Sequence, residues 1–305
     1  MPKIVVVGSA NTDMVVKSPR IPGPGETVIG GEFLMAAGGK GANQAVAAAR
    51  LGAEVTFVAC LGSDVFGDRA IAGYQREGID TTYVVRDPEA ASGVALIIVD
   101  QQGENSIAVA SGANARLSAT DVQRAADRIS QADVLLVQLE VPTGTVRAAI
   151  ELAYHAGVPV ILNPAPAQEM DPDLLRLVTL ATPNEHEIRV VVGQQDPDAA
   201  ISAMLDAGTQ TVLVTMGKRG VLWASGKTRT RIPAFKVQAV DTTAAGDAFN
   251  GGLACALARG EAIADAIRYA NAVAALSVTR MGAQPSLPTA SEVEAFLTTA
   301  PAASS

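Results

Sequence analysis

The stretch Asp241-Thr242-Thr243-Ala244-Ala245-Gly246-Asp247-Ala248-Phe249-Asn250-Gly251 puts a carboxylate where chemistry on a phosphate would need one. Small residues let a turn expose several backbone N–H groups at the start of the Ala-rich helical pattern that follows. Such donors, reinforced by the helix dipole, hold the negative charge that builds on a transferred phosphoryl group. Ala244, Ala245 and Gly246 supply that turn. Asp247 beside them could accept the proton of an attacking hydroxyl. On local sequence the same residue could equally do no more than cap the helix.

Other polar residues stand where apolar runs end. Asn11 and Asp13 follow Ile4 to Val7, at the carboxyl edge where open α/β sheets place ligands, or they form an Asx turn. Gly38-Gly39-Lys40-Gly41-Ala42-Asn43 precedes a long helical pattern; it is no Walker loop, because Lys40 is followed by Gly41. Its glycines admit close approach, and Lys40 and Asn43 offer donors for hydroxyl groups. Glu140, past residues 134–137, could accept from sugar hydroxyls or be surface charge. Asn184 and Glu187 could meet phosphate or magnesium-bound water, or cap a helix. Thr215-Met216-Gly217-Lys218-Arg219-Gly220 could border a nucleotide or make a hairpin turn. His155 and His186 form no zinc motif, and no Gly-x-Ser-x-Gly elbow is present.

These positions need a scaffold, and the rhythm of the chain supplies one. Apolar β-branched runs at 4–7, 55–59, 134–137, 158–162, 180–182 and 211–215 alternate with helical patterns near 40–51, 67–77, 143–156 and 197–207. Residues 220–223 look like part of a terminal hairpin, and helices near 246–258 and 262–279 finish the core. Alternating β and α implies a three-layer α/β/α fold around a mainly parallel sheet. Residues 13–36 and 92–111 break the rhythm; together they make a small β-lid, since a lone hairpin is marginal. The expectation is one domain over 1–305 with these lid segments inserted. Pro301 to Ser305 lack periodicity and read as a frayed tail.

Composition excludes several functions. With 31 acidic and 23 basic residues the charge is -8, far from the footprint that nucleic acid or an anionic membrane requires. Only 4% of residues are aromatic, which suits close helix-on-sheet packing. Cys60 and Cys255 lie in apolar surroundings and read as buried thiols in a reducing cytoplasm. The apolar start is too short for a signal peptide. A dinucleotide site would need G-x-G-x-x-G, which Gly8-Ser9-Ala10-Asn11 does not supply.

Taken together, Gly38 to Ala45, Asn163-Pro164-Ala165-Pro166, Asn184 to Glu187 and Asp241 to Gly251 resemble the ribokinase branch of the PfkB carbohydrate kinase family. The likeness extends to Val5 to Asp13, Pro24-Gly25-Glu26-Thr27 and Thr279 to Ser286, nearly the whole chain. It implies a ribokinase-like fold and transfer of the γ-phosphoryl group of Mg-ATP to the 5-hydroxyl of D-ribose. By the same resemblance Asn11, Asp13, Gly38, Gly39, Lys40, Asn43 and Glu140 line the sugar pocket and Asp247 is the base. Ala244, Ala245 and Gly246 are the anion hole; many family members carry Gly at the position of Ala244, though ribokinases tolerate Ala. Asn184, Glu187, Thr215, Met216, Gly217, Gly220, Gly246 and Asn271 border ATP, with histidine common where Asn271 stands. A monovalent cation, usually potassium, falls to Asp241, Thr243, Ser277, Arg280, Gly282 and Ser286, several through backbone carbonyls. The lid matches a type that often dimerises. Fructokinase, nucleoside kinase and deoxyribose kinase are sibling activities, and a silent sugar sensor is a reading of another class; Lys40, Asn43 and Glu140 favour ribose.

Overall fold

The computed structural model describes residues 1–299, so the tail at 301–305 lies outside them. Lys3–Val7 (β1) is followed by Asn11–Lys17 (β2), Phe33–Gly38 (β3), Lys40–Arg50 (α1), Glu54–Gly62 (β4) and Val65–Arg76 (α2). Then come Val84–Asp87 (β5), Gly93–Val99 (β6), Asn105–Ala110 (β7), Ala119–Arg124 (α3), Ala126–Ser130 (α4) and Val134–Gln138 (β8). Thr143–His155 (α5), Val160–Asn163 (β9), Pro172–Leu175 (α6), Leu180–Ala181 (β10), Glu187–Val192 (α7) and Pro197–Asp206 (α8) continue the alternation. Thr211–Thr215 (β11), Val221–Ser225 (β12), Thr228–Ile232 (β13), Ala245–Ala258 (α9), Ile263–Ser277 (α10) and Ala290–Thr299 (α11) complete it.

The main sheet runs β13-β12-β11-β10-β9-β8-β1-β4-β5, parallel except for the antiparallel edge strands β12 and β13. Strand side chains alternate between faces, and both faces here are covered. Ile4, Val6 and Leu136 enter one core with α1, α9 and α10; Val5, Val7, Leu135 and Val137 enter the other with α5 and α8. Small residues let the helices sit close. A Cβ on Gly251 would fall 2.5 Å from the Ala47 Cβ, and one on Gly252 2.9 Å from a Val273 methyl. The low aromatic content is the compositional face of that packing.

Both irregular stretches contribute to a second sheet of order β3-β2-β6-β7. Strand β2 lies parallel to β6 and antiparallel to β3, so Asp13 is flanked by Ala36 and Ala95. Phe33, Leu34, Leu96, Ile107 and Val109 of this lid are exposed. Where the rhythm predicted no element, the structure adds the edge strand β5 and the short helices α3, α4, α6 and α7, each of four to six residues. Runs that short show too little of a helical or strand period to be read. The ten-residue α11 also went unforeseen. Among the described residues no helix is long and apolar enough to cross a membrane.

Candidate active site

The cradle at 241–247 is built by local hydrogen bonds. Asp241 Oδ1 accepts from the Thr243 N–H at 2.9 Å and the Thr243 hydroxyl at 2.7 Å, and the Ala245 N–H donates to the Thr242 carbonyl at 3.2 Å. Between them Ala244 reverses the chain with φ 59°, the one positive φ outside glycine among the described residues. The left-handed region costs an alanine about 1–2 kcal/mol. The reversal leaves the N–H groups of Ala244, Gly246 and Asp247 with no protein acceptor among the described residues, at the positive end of the 14-residue α9. Ala245 alone of the expected donors is turned away, to Thr242. Nothing stands within 4 Å of where a Gly246 Cβ would be, so the mouth of the cradle is open.

Asp247 is 6% exposed, and its carboxylate is held by the neighbouring helix rather than by its own. Asn43 Nδ2 donates to Oδ2 and Gln44 Nε2 to Oδ1, each at 2.9 Å. The start of α9 has no side-chain cap bond, so the simple capping role does not hold for Asp247. Burial pushes its pKa above the ordinary carboxylate value, against the Lys40 cation and the two amide donors.

Helix α1 reaches Asp247 because glycine lets it lie on the link from β1 to β2. Gly39 has φ 88°, and a Cβ there would sit 2.7 Å from the Asn11 nitrogen; one on Gly41 would sit 2.6 Å from the Ser9 nitrogen. Glu140, two residues past Gln138 at the end of β8, caps α1 from outside: its Oε2 accepts from the Lys40 N–H at 3.0 Å and from the Ser9 hydroxyl. Its Oε1 has no partner among the described residues. Lys40 was expected in the sugar pocket. Lys40 also lines a cavity of about 220 Å³ with Asn184, Glu187, Thr215 and the residues of the cradle. There the carboxylates of Asp247, Glu140, Glu187 and Asp13 raise its pKa against burial.

On the lid side, Asn11 and Glu140 line a second cavity of about 380 Å³ with Asn114, Val109 and Pro166. Asn114 fixes Asn11, donating to its Oδ1 at 2.7 Å while accepting from the Ala10 N–H. The Asp13 carboxylate lies over Gly38, where a Cβ would be 2.2 Å from Oδ2. Burial first, then the Glu140 and Asp247 charges, push the Asp13 pKa up to about 6, with Lys40 opposing. Asn43 Oδ1 is buried without a partner, an acceptor suited to a ligand hydroxyl.

The remaining predicted residues spread along one rim. Asn184 Oδ1 accepts from the N–H groups of His186 and Glu187, and Glu187 Oε2 accepts from the Asn184 N–H, so the cap reading holds there. Both residues still face the 220 Å³ cavity beside Thr215. Burial raises the Glu187 pKa, opposed by the Asn184 N–H. Met216 to Gly220 form the tight turn that their sequence allowed, with the Met216 N–H bonded to the Gly220 carbonyl and φ 54° at Gly217. Asn271 is not on this cavity wall; its Nδ2 donates to the Pro233 carbonyl at 3.1 Å.

The segment from Ser277 to Ser286 abuts the cradle. Asp241 Oδ2 accepts from the Gly282 N–H at 2.8 Å, and Arg50 ties the loop to α1 through the Gln284 and Leu287 carbonyls. Ser277 and Ser286 are fully buried, with hydroxyls donating to the Ala274 and Ala283 carbonyls. The Arg280 side chain pairs with Glu292. Hard oxygen donors with one carboxylate fit an alkali cation, and no cluster of three His, Cys, Asp or Glu suited to a transition metal occurs among the described residues.

Sequence reasoning did not single out Ser9, Gln44, Asn114, Gln138, Asn163, Thr182 or Asn250 as functional, though all are buried polar residues at this edge of the sheet. The available signal was an amide inside an apolar pattern, as in Gln138 at the end of Val-Leu-Leu-Val and Gln44 within an Ala-rich helix.

The chain resembles a ribokinase of Haemophilus influenzae at 46% identity, covering 96% of this chain and 98% of that one. A solved ribokinase from Thermotoga maritima superposes with a TM-score of 0.91 at 39% identity, over 98% of this chain and 100% of that one. An Arabidopsis thaliana ribokinase solved with ribose and ATP gives 0.89 at 32%, over 98% and 99%. The pattern of the pfkB family carbohydrate kinases matches residues 1–290. That match takes in every site residue described above, and the chain belongs to the pfkB family of carbohydrate kinases.

Proposed function

We propose that the protein is an ATP-dependent kinase of D-ribose, acting as one domain with its lid as an insertion. The observation that carries this reading is the Asp247 carboxylate, steered by two amides of α1 and set beside three acceptor-free N–H groups. Ribose binds beneath the lid, its hydroxyls facing Asn11, Asp13, Asn43, the free Oε1 of Glu140 and the backbone at Gly38 and Gly39. Asp247 takes the 5-hydroxyl proton as that oxygen attacks the γ-phosphorus of ATP and the bond to the β-phosphate oxygen breaks. The N–H groups of Ala244, Gly246 and Asp247, with Lys40, receive the charge on the moving phosphoryl group. Products are ribose 5-phosphate, ADP and a proton.

Asn184, Glu187, Thr215, Met216, Gly217, Gly220 and Asn271 border the nucleotide, and Asn184 and Glu187 are the residues that would meet the magnesium that accompanies ATP. Magnesium supplies charge neutralisation on the phosphates. Asp241 and the oxygens of Thr243, Ser277, Arg280, Gly282 and Ser286 would hold potassium, whose charge would stiffen the cradle's peptide dipoles. Lid closure excludes water as a competing acceptor. The exposed apolar residues of the lid pack against a second copy, and the two buried thiols suit the cytoplasm. An Ile107→Asp substitution should therefore convert a dimer to monomer in sedimentation.

The deciding experiment follows ADP release from Mg-ATP with ribose, 2-deoxyribose, fructose, adenosine or no sugar, with and without potassium. Ribose-dependent turnover that potassium raises and Asp247→Asn abolishes supports the whole reading. Preference for another sugar retains the mechanism and overturns the pocket assignment. No turnover with any acceptor replaces the enzyme with a sensor.

A further inference from the structure

We propose that Gln44 is a positioning residue in a closed hydrogen-bonded ring that fixes the Asp247 carboxylate and the Gly246–Asp247 peptide together, and that Gln138 is a positioning residue that braces Gln44 from outside the ring. This deepens the reading of Asp247 as the base and rests on it. Gln44 Nε2 donates to Asp247 Oδ1 at 2.9 Å and to Asn163 Oδ1 at 3.1 Å. Asn163 Nδ2 donates to the Thr182 carbonyl, and the Thr182 hydroxyl donates to Asn250 Oδ1 at 2.7 Å. Asn250 Nδ2 then donates to the Gly246 carbonyl at 2.8 Å. That carbonyl belongs to the same peptide as the Asp247 N–H, one of the three cradle donors, so the ring closes on the residue where it began.

Chemistry fixes the direction of every amide. A carboxylate only accepts, so Gln44 must present its NH₂ to Asp247 and turn its oxygen away. That oxygen accepts from Gln138 Nε2 at 2.6 Å. With its NH₂ so committed, Gln138 has an oxygen that is buried without a partner, against the Cα of Gly8, where a Cβ would come within 2.1 Å. Gln44 and Gln138 are both fully buried, out of reach of bulk water. An orphaned amide oxygen is unfavourable in a stable core, and it is explained if Gln138 exists to keep Gln44 from flipping. A flipped Gln44 would point oxygen at oxygen on the base.

The groups of other elements whose charge acts on Asp247 are Lys40 of α1, Glu140 past β8, Glu187 of α7 and Asp13 of β2. Gln138 touches neither these nor the reacting atoms in any hydrogen bond, which makes it the clean place to cut. The test uses the full-length enzyme with Gln138→Met, which keeps the volume and cannot donate, and Gln138→Glu, which donates only when protonated. For Gln138→Met, kcat should fall roughly tenfold or more while KM for sugar and ATP stays within about twofold. The acid limb of its kcat profile should move to higher pH, because Gln44, no longer braced by Gln138, can turn its donor away from the base. Gln138→Glu should lose the same activity at high pH and regain part of it relative to Gln138→Met as the pH falls. Should Gln138→Met fail to fold, the profile of Gln138→Glu decides. Wild-type kcat and an unshifted profile in the Gln138 variants, with Asp247→Asn inactive, overturn the ring and leave the base reading intact; turnover retained by Asp247→Asn overturns both.

Discussion

Asp13 is held in a state its surroundings oppose, and replacing it with asparagine should trade substrate binding for stability. Its pKa is pushed up to about 6 from 3.8, by burial and then by the Glu140 and Asp247 charges. Because the folded value lies above the unfolded one, the group's stability contribution is fully present below pH 3.8 and is lost as pH rises through 6. By linkage, keeping the carboxylate ionised at pH 8 costs about 3 kcal/mol. The asparagine side chain carries no charge, so Asp13→Asn should melt several degrees higher at pH 8, by up to about 3 kcal/mol in stability, and show little difference near pH 4. The same substitution weakens a charged acceptor for sugar hydroxyls to a neutral one, a loss of about 1–2 kcal/mol, so KM for ribose should rise about tenfold with kcat less affected. Thermal melts across pH 4 to 8 beside steady-state kinetics read both arms. Equal melting curves at pH 8, or an unchanged KM, would refute the argument that burial strains this carboxylate for binding.

Ala244→Val should impair catalysis more than stability suggests, since a β-branched residue resists φ 59° and would swing the cradle donors away; a kcat loss of about 10²-fold is expected, with ADP binding by calorimetry largely kept. Asp241→Ala removes the acceptor shared by Thr243 and Gly282, so potassium should no longer raise kcat, which a potassium titration of the variant checks.

The central sheet was legible because β1, β8 and β11 are apolar runs bounded by turn residues, and buried parallel strands read that way. The cradle was legible because its residues are contiguous. Asn43 was placed in a sugar pocket from its motif, yet its bond to Asp247 joins residues 204 positions apart, and no local pattern carries that register. Lys40 was drawn toward the sugar by its neighbours in sequence; its place on the 220 Å³ cavity wall beside Asn184 and Thr215 depends on residues more than 140 positions away. Glu140 read as a sugar acceptor or a surface charge, and its capping of α1 was not legible because the N–H it accepts from lies 100 residues away.

The alanine and glycine content that sets the fold's packing also sets the site's geometry. Gly251 lies four residues beyond Asp247 on α9, and Ala47 and Ala48 lie four beyond Asn43 and Gln44 on α1. One helical turn therefore separates the tightest contact of the two helices from the bonds that hold the base. A Cβ added at Gly251 would stand 2.5 Å from the Ala47 Cβ and 3.1 Å from the Ala48 nitrogen and the Gln44 carbonyl, all rigid atoms. Gly251→Ala must then part α1 from α9 by a sizeable fraction of an ångström, at a cost of about 1–3 kcal/mol. The 2.9 Å bonds from Asn43 and Gln44 to Asp247 lengthen with it, though no substituted atom touches substrate. Misplacement on this scale lowers kcat by about tenfold to a hundredfold. Kinetics well below the variant's melting temperature separate the two effects: a lowered Tm with unchanged kcat would show that the base does not depend on how closely these helices pack.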